Sequence, residues 1–150
     1  MSEIFQASVK WLPNGELFSY KTYTRQYLVK SPGKPDFIGT AAPAFFGSHY
    51  HYNPEDLLVV SLSACHMLSY LALASNSKIQ VLSYQDSAVG EMFTENKITK
   101  FKEVILKPVI KISKESDAAK AESLHEKAHE ICFIANSVNF PVHIQPTITA

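Results

Sequence analysis

Cys65 and Cys132 are the side chains in this 150-residue sequence best able to act as a nucleophile, a redox pair or soft metal ligands. Cys65 lies mid-way through NPEDLLVVSLSACHMLSYLALA, residues 53–74, and Cys132 near the end of SKESDAAKAESLHEKAHEICF. A free cysteine is often no more than a small buried hydrophobe. Two of them, on two predicted helices far apart in the chain, put a redox pair on an equal footing with packing. Geometry decides, because a disulfide needs the two Cα atoms within about 7 Å.

The other candidate groups are fewer. Thirteen lysines accompany a single arginine, Arg25, whose planar fork is hard to replace where an anion must be held. His66 follows Cys65 directly. Neighbouring helical residues do not share a face, so it is a poor base for Cys65 and reads as a core or interface histidine with a satisfied hydrogen bond. His49 and His51 flank Tyr50, but no Cys-x-x-Cys completes a zinc set. His125 and His129 are four apart and read as a solvated face beside Glu126 and Glu130. No metal and no cofactor is expected.

These residues need elements to hold them. FQASVKWL alternates as a strand, PNGE signals a hairpin turn, and LFSYKTYTRQYLVK continues as a longer second strand carrying Arg25. SPGKP is a turn and DFIGTA a short third strand. APAFFGSHYHY is a loop rich in aromatics, which cover a core edge, wall a pocket or meet another chain. The central helix opens with Asn53 as cap, Pro54 in the first turn and Glu55 and Asp56 at its positive end. IQVLSYQDSAVGEMF and ITKFKEVILKPVIKI form a long antiparallel pair, with Pro108 at an edge or bulge. A second helix carries Leu124, Ala128 and Ile131 at helical spacing, and PVHIQPTIT closes as an edge strand. The order β-β-β-α-β-β-α-β makes an α+β domain.

No repeat or linker divides residues 1–150, so a single domain is expected. Formal net charge is zero, which leaves no whole-chain footprint for nucleic acid or membrane. The N-terminus lacks a basic segment followed by an apolar one, so a cytoplasmic protein is expected, where cysteines stay reduced, react or bind metal. The apolar run 57–74 approaches the length of a membrane span. Ser61, Ser63, His66 and Ser69 interrupt it, and a buried core helix is the reading adopted. A helix apolar on all sides needs cover on all sides; one sheet and one half-polar helix cover it poorly, so a second protomer is expected.

NPEDLLVVSLSAC resembles the signature of the OsmC/Ohr hydroperoxide peroxidases: Asn-Pro-Glu opening the central helix, and Cys ten residues after the Glu. HEICFIANSV resembles that family's second cysteine segment, and ACHML with the aromatic loop is closer to the OsmC-like branch. The resemblance implies an OsmC-like fold, with curved antiparallel sheets around a long buried central helix in an intertwined homodimer. It implies Cys65 as reactive cysteine, Cys132 as resolving cysteine, Glu55 as catalytic carboxylate, and Arg25 as the arginine held by that carboxylate. The implied partners are an organic hydroperoxide and a dithiol reductant such as a lipoyl group. The chemistry is consistent: a thiolate attacks the O–O bond, releasing alcohol and leaving a sulfenic acid. A free thiol has a pKa of about 8.5, so a nearby cation must favour the thiolate.

Helix geometry constrains such a site. Glu55 and Cys65 on one straight helix lie roughly 15 Å apart along the axis and point about 80° apart. If both serve one site, they come from different subunits, with central helices crossing near a two-fold axis. Two rival functions stand beside the peroxidase. One is an apolar-ligand-binding module using the central helix with Phe45, Phe46, Tyr50 and Tyr52; the other is a metal sensor or carrier using Cys65 and the histidines. The aromatic loop and apolar helix favour bulky hydroperoxides over hydrogen peroxide.

Overall fold

The computed structural model describes residues 2–150. The chain divides into two compact units, Met1–Leu57 and Leu58–Ala150.

In the first unit, β1 (Ser8–Trp11), β2 (Tyr27–Lys30) and β3 (Phe37–Gly39) form an antiparallel sheet in that order. The SPGKP turn joins β2 to β3, with Gly33 at φ 70°, where a side chain would be strained. The expected hairpin after β1 is not tight. Trp11 pairs with Tyr27, so residues 12–26 form a long connection and the second strand loses its first ten residues. Arg25 therefore sits on irregular chain ahead of β2 and not on a strand. Local hydroxyl bonds explain the difference. Ser19 Oγ and Thr22 Oγ1 bond at 2.7 Å, Thr22 Oγ1 donates to the Leu17 carbonyl, and Gln26 N–H donates to Thr24 Oγ1 at 3.2 Å. Such bonds compete with a ladder that alternation alone suggests.

The aromatic loop contains a short 3-10 turn at Pro43–Phe45, and Phe45, Phe46, Tyr50 and Tyr52 are all exposed, Tyr50 most at 93%. Helix α1 (Pro54–Asn76) follows. Its cap is reciprocal: Asp56 N–H donates to Asn53 Oδ1 at 2.8 Å, and Asn53 N–H to Asp56 Oδ2 at 3.3 Å.

The second unit holds the apolar core. Beyond α1 come β4 (Val81–Asp86), β5 (Val89–Glu95), β6 (Ile98–Leu106), β7 (Pro108–Ile112), α2 (Ala118–Ile131), β8 (Val142–Ile144) and β9 (Thr147–Thr149). They make two sheets, β4-β7-β9 and β5-β6-β8. The long antiparallel pair read from sequence is present in its pairing, but it breaks at 87–88 and at Lys107 into separate sheets. Asp86 Oδ1 accepts the Lys107 N–H at 2.7 Å, and Pro108 has no N–H to continue a ladder. The closing strand also splits, at Gln145 and Pro146, and each half joins a sheet edge in parallel, not antiparallel, pairing.

Helix α1 buries one stripe, Leu62, His66, Tyr70 and Ala74, each four residues on. It is not covered on every side, since Val60 and Leu68 are open. Tyr70 and Ala74 pack with Ile110, Ile112 and Leu124, while Leu62 packs with Val104, Leu106 and Val142. By length and composition α1 is, among the described residues, the one helix that could cross a membrane. Helix α2 starts on Asp117, whose side chain accepts from Lys120 N–H at 3.0 Å. Its inward face is Ala121, Leu124, His125 and Ala128, with Ile131 turned largely outward. The whole is a mixed α+β fold with one long helix.

Candidate active site

Cys132 closes α2 with extended backbone, so its chain turns away and its sulfur faces inward at 1% exposure. Its Sγ accepts the Ala135 N–H at 3.5 Å. Burial pushes the Cys132 thiol up to about 11, and a hydrogen bond with the Cys65 side chain pushes the same way; the Ala135 and Ile134 N–H groups oppose both. Helices α1 and α2 thus place Cys65 near enough to Cys132 to act on its thiol. Both are free thiols, and they differ in access, with Cys65 half-buried and Cys132 buried. With its pKa at about 11, Cys132 keeps its proton at neutral pH.

Arg25 and Glu55 line a second place, a cleft of about 330 Å³ within the first unit, together with Tyr23, Tyr27 and Thr40. Arg25 is 9% exposed and fixed on three sides. Its Nε donates to the Phe45 carbonyl at 3.1 Å, one terminal nitrogen to Tyr23 at 2.5 Å, and the other to the Tyr20 carbonyl. The guanidinium lies 3.6 Å from the centroid of the Tyr23 ring, with the Tyr20 and Phe46 rings beyond. A guanidinium carries five N–H donors, so this cage holds its orientation without exhausting it. Glu55 Oε2 is buried with no hydrogen-bond partner among the described residues, and no ion pair joins it to Arg25. Its charge acts on Tyr27, whose hydroxyl pKa is raised by burial first and by Glu55 second.

The histidines differ from their sequence reading in one respect. His66 is buried as expected, with Nε2 3.0 Å from Nδ1 of His125. His125, read from sequence as part of a solvated face, is itself 3% exposed and belongs to the inward stripe of α2. The signal was present: residue 125 falls four after Ala121 and three before Ala128, on the apolar face. Among the described residues, no three His, Cys, Asp or Glu side chains cluster as a metal set. A further polar contact had no sequence signal: Ser63 Oγ donates to Asp86 Oδ2 at 2.5 Å, tying α1 to the end of β4.

The family model for OsmC-like proteins matches residues 47–147, a span that runs from the aromatic loop through both cysteines to the last strand. The chain belongs to the OsmC-like protein family. An OsmC-like protein of unknown function from Vibrio cholerae is 33% identical, with a TM-score of 0.90 over 97% of this chain and 99% of that one. An OsmC-like protein from Mycoplasma pneumoniae shares the fold at 13% identity and a TM-score of 0.79, both chains covered completely. An organic hydroperoxide resistance protein from Elizabethkingia anophelis shares it at 22% identity and a TM-score of 0.70, with 99% of each chain covered. No curated protein matches the chain. Membership in the OsmC-like family accounts for the fold, and some members of that fold carry hydroperoxide resistance in their names.

Proposed function

We propose that this OsmC-like chain is a thiol-dependent peroxidase that reduces organic hydroperoxides to alcohols. The observation that carries the reading is the nearness of two free thiols of unlike access: Cys65 half-buried, and Cys132 buried with its pKa raised by burial first and by the Cys65 side chain second. Cys65 is the attacking sulfur. It takes the distal oxygen of the hydroperoxide, breaking the O–O bond, and the alkoxide leaves as alcohol with one proton. Cys132 then attacks the Cys65 sulfenic acid, a disulfide forms, and water departs. A dithiol of the lipoyl class returns both thiols by exchange through a mixed disulfide.

Arg25 and Glu55 are the supporting pair, Arg25 steadying the charge on the attacking sulfur and on the departing oxygen. Both belong to the first unit, and helix geometry keeps Glu55 and Cys65 of one α1 roughly 15 Å apart along the axis. The reading therefore takes Arg25 and Glu55 from the partner in a homodimer. Surface character supports a dimer: Ile4, Phe5, Leu17, Phe18 and Tyr20 in the first unit and Leu68 on α1 are all open. It also supports one domain, because every buried apolar side chain among the described residues lies beyond residue 57. A unit with no apolar interior does not stand alone.

Leu68 sits one turn beyond Cys65 and offers an apolar wall, which favours alkyl or aryl hydroperoxides over hydrogen peroxide. The test is stopped-flow oxidation of the thiols by cumene hydroperoxide and by hydrogen peroxide, for the natural protein beside Cys65→Ser and Cys132→Ser. The proposal requires loss of peroxide reduction in Cys65→Ser. Turnover surviving that change, or a kcat/KM for hydrogen peroxide equal to or above that for cumene hydroperoxide, counts against the enzyme or the substrate class respectively.

A further inference from the structure

Besides the two cysteines, α1 and α2 are joined by a second pair. His66 Nε2 and His125 Nδ1 lie 3.0 Å apart, and the two residues are 1% and 3% exposed. The Tyr70 ring stacks on His125 at 4.1 Å and 15°, and its hydroxyl donates to the Ala121 carbonyl at 3.1 Å. Along α1 the order is Cys65, His66, Tyr70; along α2 their partners run backward, Cys132, His125, Ala121. The helices are therefore antiparallel at this seam, and the imidazole bond joins the same two helices that carry the cysteines.

Two imidazoles are a costly way to fill a core. His66 Nδ1 and His125 Nε2 are buried without a hydrogen-bond partner among the described residues, and an apolar pair of equal volume avoids that penalty. What an apolar pair lacks is direction. Leucines pack over a range of axial offsets, whereas an N–H···N bond holds a narrow one. Sulfur chemistry needs a narrow one: a disulfide requires Cβ atoms about 3.8 Å apart and an S–S length near 2.05 Å.

We propose that the His66–His125 hydrogen bond is a positioning device for the resolving step, setting the register of α1 on α2 so that the Cys132 sulfur meets Cys65 once the sulfenic acid has formed. The inference rests on the peroxidase reading for its step and on the observed geometry for its residues. In that step the Cys132 S–H bond breaks, the sulfur–sulfur bond forms, the Cys65 S–O bond breaks, and hydroxide takes the released proton and leaves as water. The hydroperoxide, consumed in the preceding step, is the oxidant.

The bond requires at least one neutral imidazole to accept. His129 from α2 and Asp86 from β4 act on His66, the Tyr70 ring of α1 stacks on His125, and Tyr84 of β4 lies against Tyr70. Burial first, and the charge of His129 second, hold His66 down at about 4 against the opposing pull of Asp86. Burial and the charge of His66 hold His125 at about 4. The device is thus intact throughout the neutral range.

Substitution separates position from proton transfer. His66→Gln with His125→Asn keeps an amide donor near the Nε2 position and a carbonyl acceptor near the Nδ1 position, but does not titrate. His66→Leu with His125→Leu removes the bond. His66→Asn with His125→Gln keeps the polar content and misplaces both groups, and serves if the double leucine protein does not fold. Two quantities are read in each: the rate of disulfide formation after a single equivalent of cumene hydroperoxide, and the equilibrium of the Cys65–Cys132 disulfide against dithiothreitol. The second needs no peroxide, so it tests the device even if Cys65 proves inert to hydroperoxides. The mispositioned and apolar proteins should lose about tenfold or more in disulfide formation and in the equilibrium, with sulfenic acid formation within about twofold of the natural protein. The Gln/Asn protein should recover to within about threefold. Natural values in the double leucine or Asn/Gln proteins overturn the proposal. A Gln/Asn protein as slow as the leucine one overturns it as well, and assigns the histidines to proton transfer.

Discussion

Arg25 is the residue whose surroundings say most about its role. Three carbonyls and a tyrosine face fix it, and a lysine ammonium cannot reproduce that planar fork. Arg25→Lys leaves at least two part-buried carbonyls short of a donor, and each lost bond to a charged group is worth about 1.5–3 kcal/mol. We expect a fall in the urea midpoint with an unchanged slope, together with at least a tenfold loss of hydroperoxide kcat/KM. Natural activity in a folded Arg25→Lys protein removes Arg25 from the site. Cys132→Ser is the complementary case. With no buried thiol to resolve it, the Cys65 sulfenic acid should persist after one turnover and be trapped by a dimedone-type reagent, while multiple turnover with a dithiol falls sharply. Of these residues, the cysteines and Glu55 were singled out in sequence by the resemblance of NPEDLLVVSLSAC and HEICFIANSV to a family signature. Arg25 was legible only as the sole arginine. Its cage depends on carbonyls of residues 20, 23 and 45, which no periodicity relates to one another.

Elements were legible where their signals were local and illegible where long-range pairing decided. The α1 cap could be read from Asn53 and Pro54, and the structure adds a return bond to Asp56, which sequence offered only as a charge at the helix start. Asn53→Ala should cost about 1 kcal/mol of stability by denaturant titration. At the break of the long β pair into two sheets Asp86 reaches Lys107 N–H across 21 residues, and β8 and β9 dock in parallel on the distant β6 and β7. Nothing in the local pattern announces that contact. The α1–α2 seam has a pH signature of its own. In the unfolded chain a histidine has a pKa of about 6.5, and in the folded protein His66 and His125 stand at about 4. Between those values the unfolded state binds more protons, so stability is full above pH 6.5 and falls as the pH drops toward 4, each unit of displacement being worth about 1.4 kcal/mol. The double leucine protein should lose most of that slope between pH 6.5 and 4. A slope equal to that of the natural protein shows that other groups cause it.

At the scale of the molecule, a single chain leaves much apolar surface open: one side of α1, and rings of the first unit that bury no core of their own. Composition announced this only indirectly, through a helix apolar on every face. Which chain covers which surface is a matter of assembly and has no sequence period. If the partner supplies Arg25 and Glu55 to the Cys65 of its neighbour, two inactive proteins can repair one another. Take Cys65→Ser and Arg25→Ala, unfold and refold them together in equal amounts, and half of the dimers are mixed. Each mixed dimer has one site with a natural cysteine facing a natural arginine and one site with neither. The mixture should therefore recover about one quarter of natural activity, whereas each protein refolded alone should stay inactive. If both residues serve the cysteine of their own chain, every site in the mixed dimer carries one lesion and no activity returns. Subunit exchange followed by native mass spectrometry establishes that the mixed dimer has formed, so a silent mixture refutes the shared site and leaves no room for a failure of assembly.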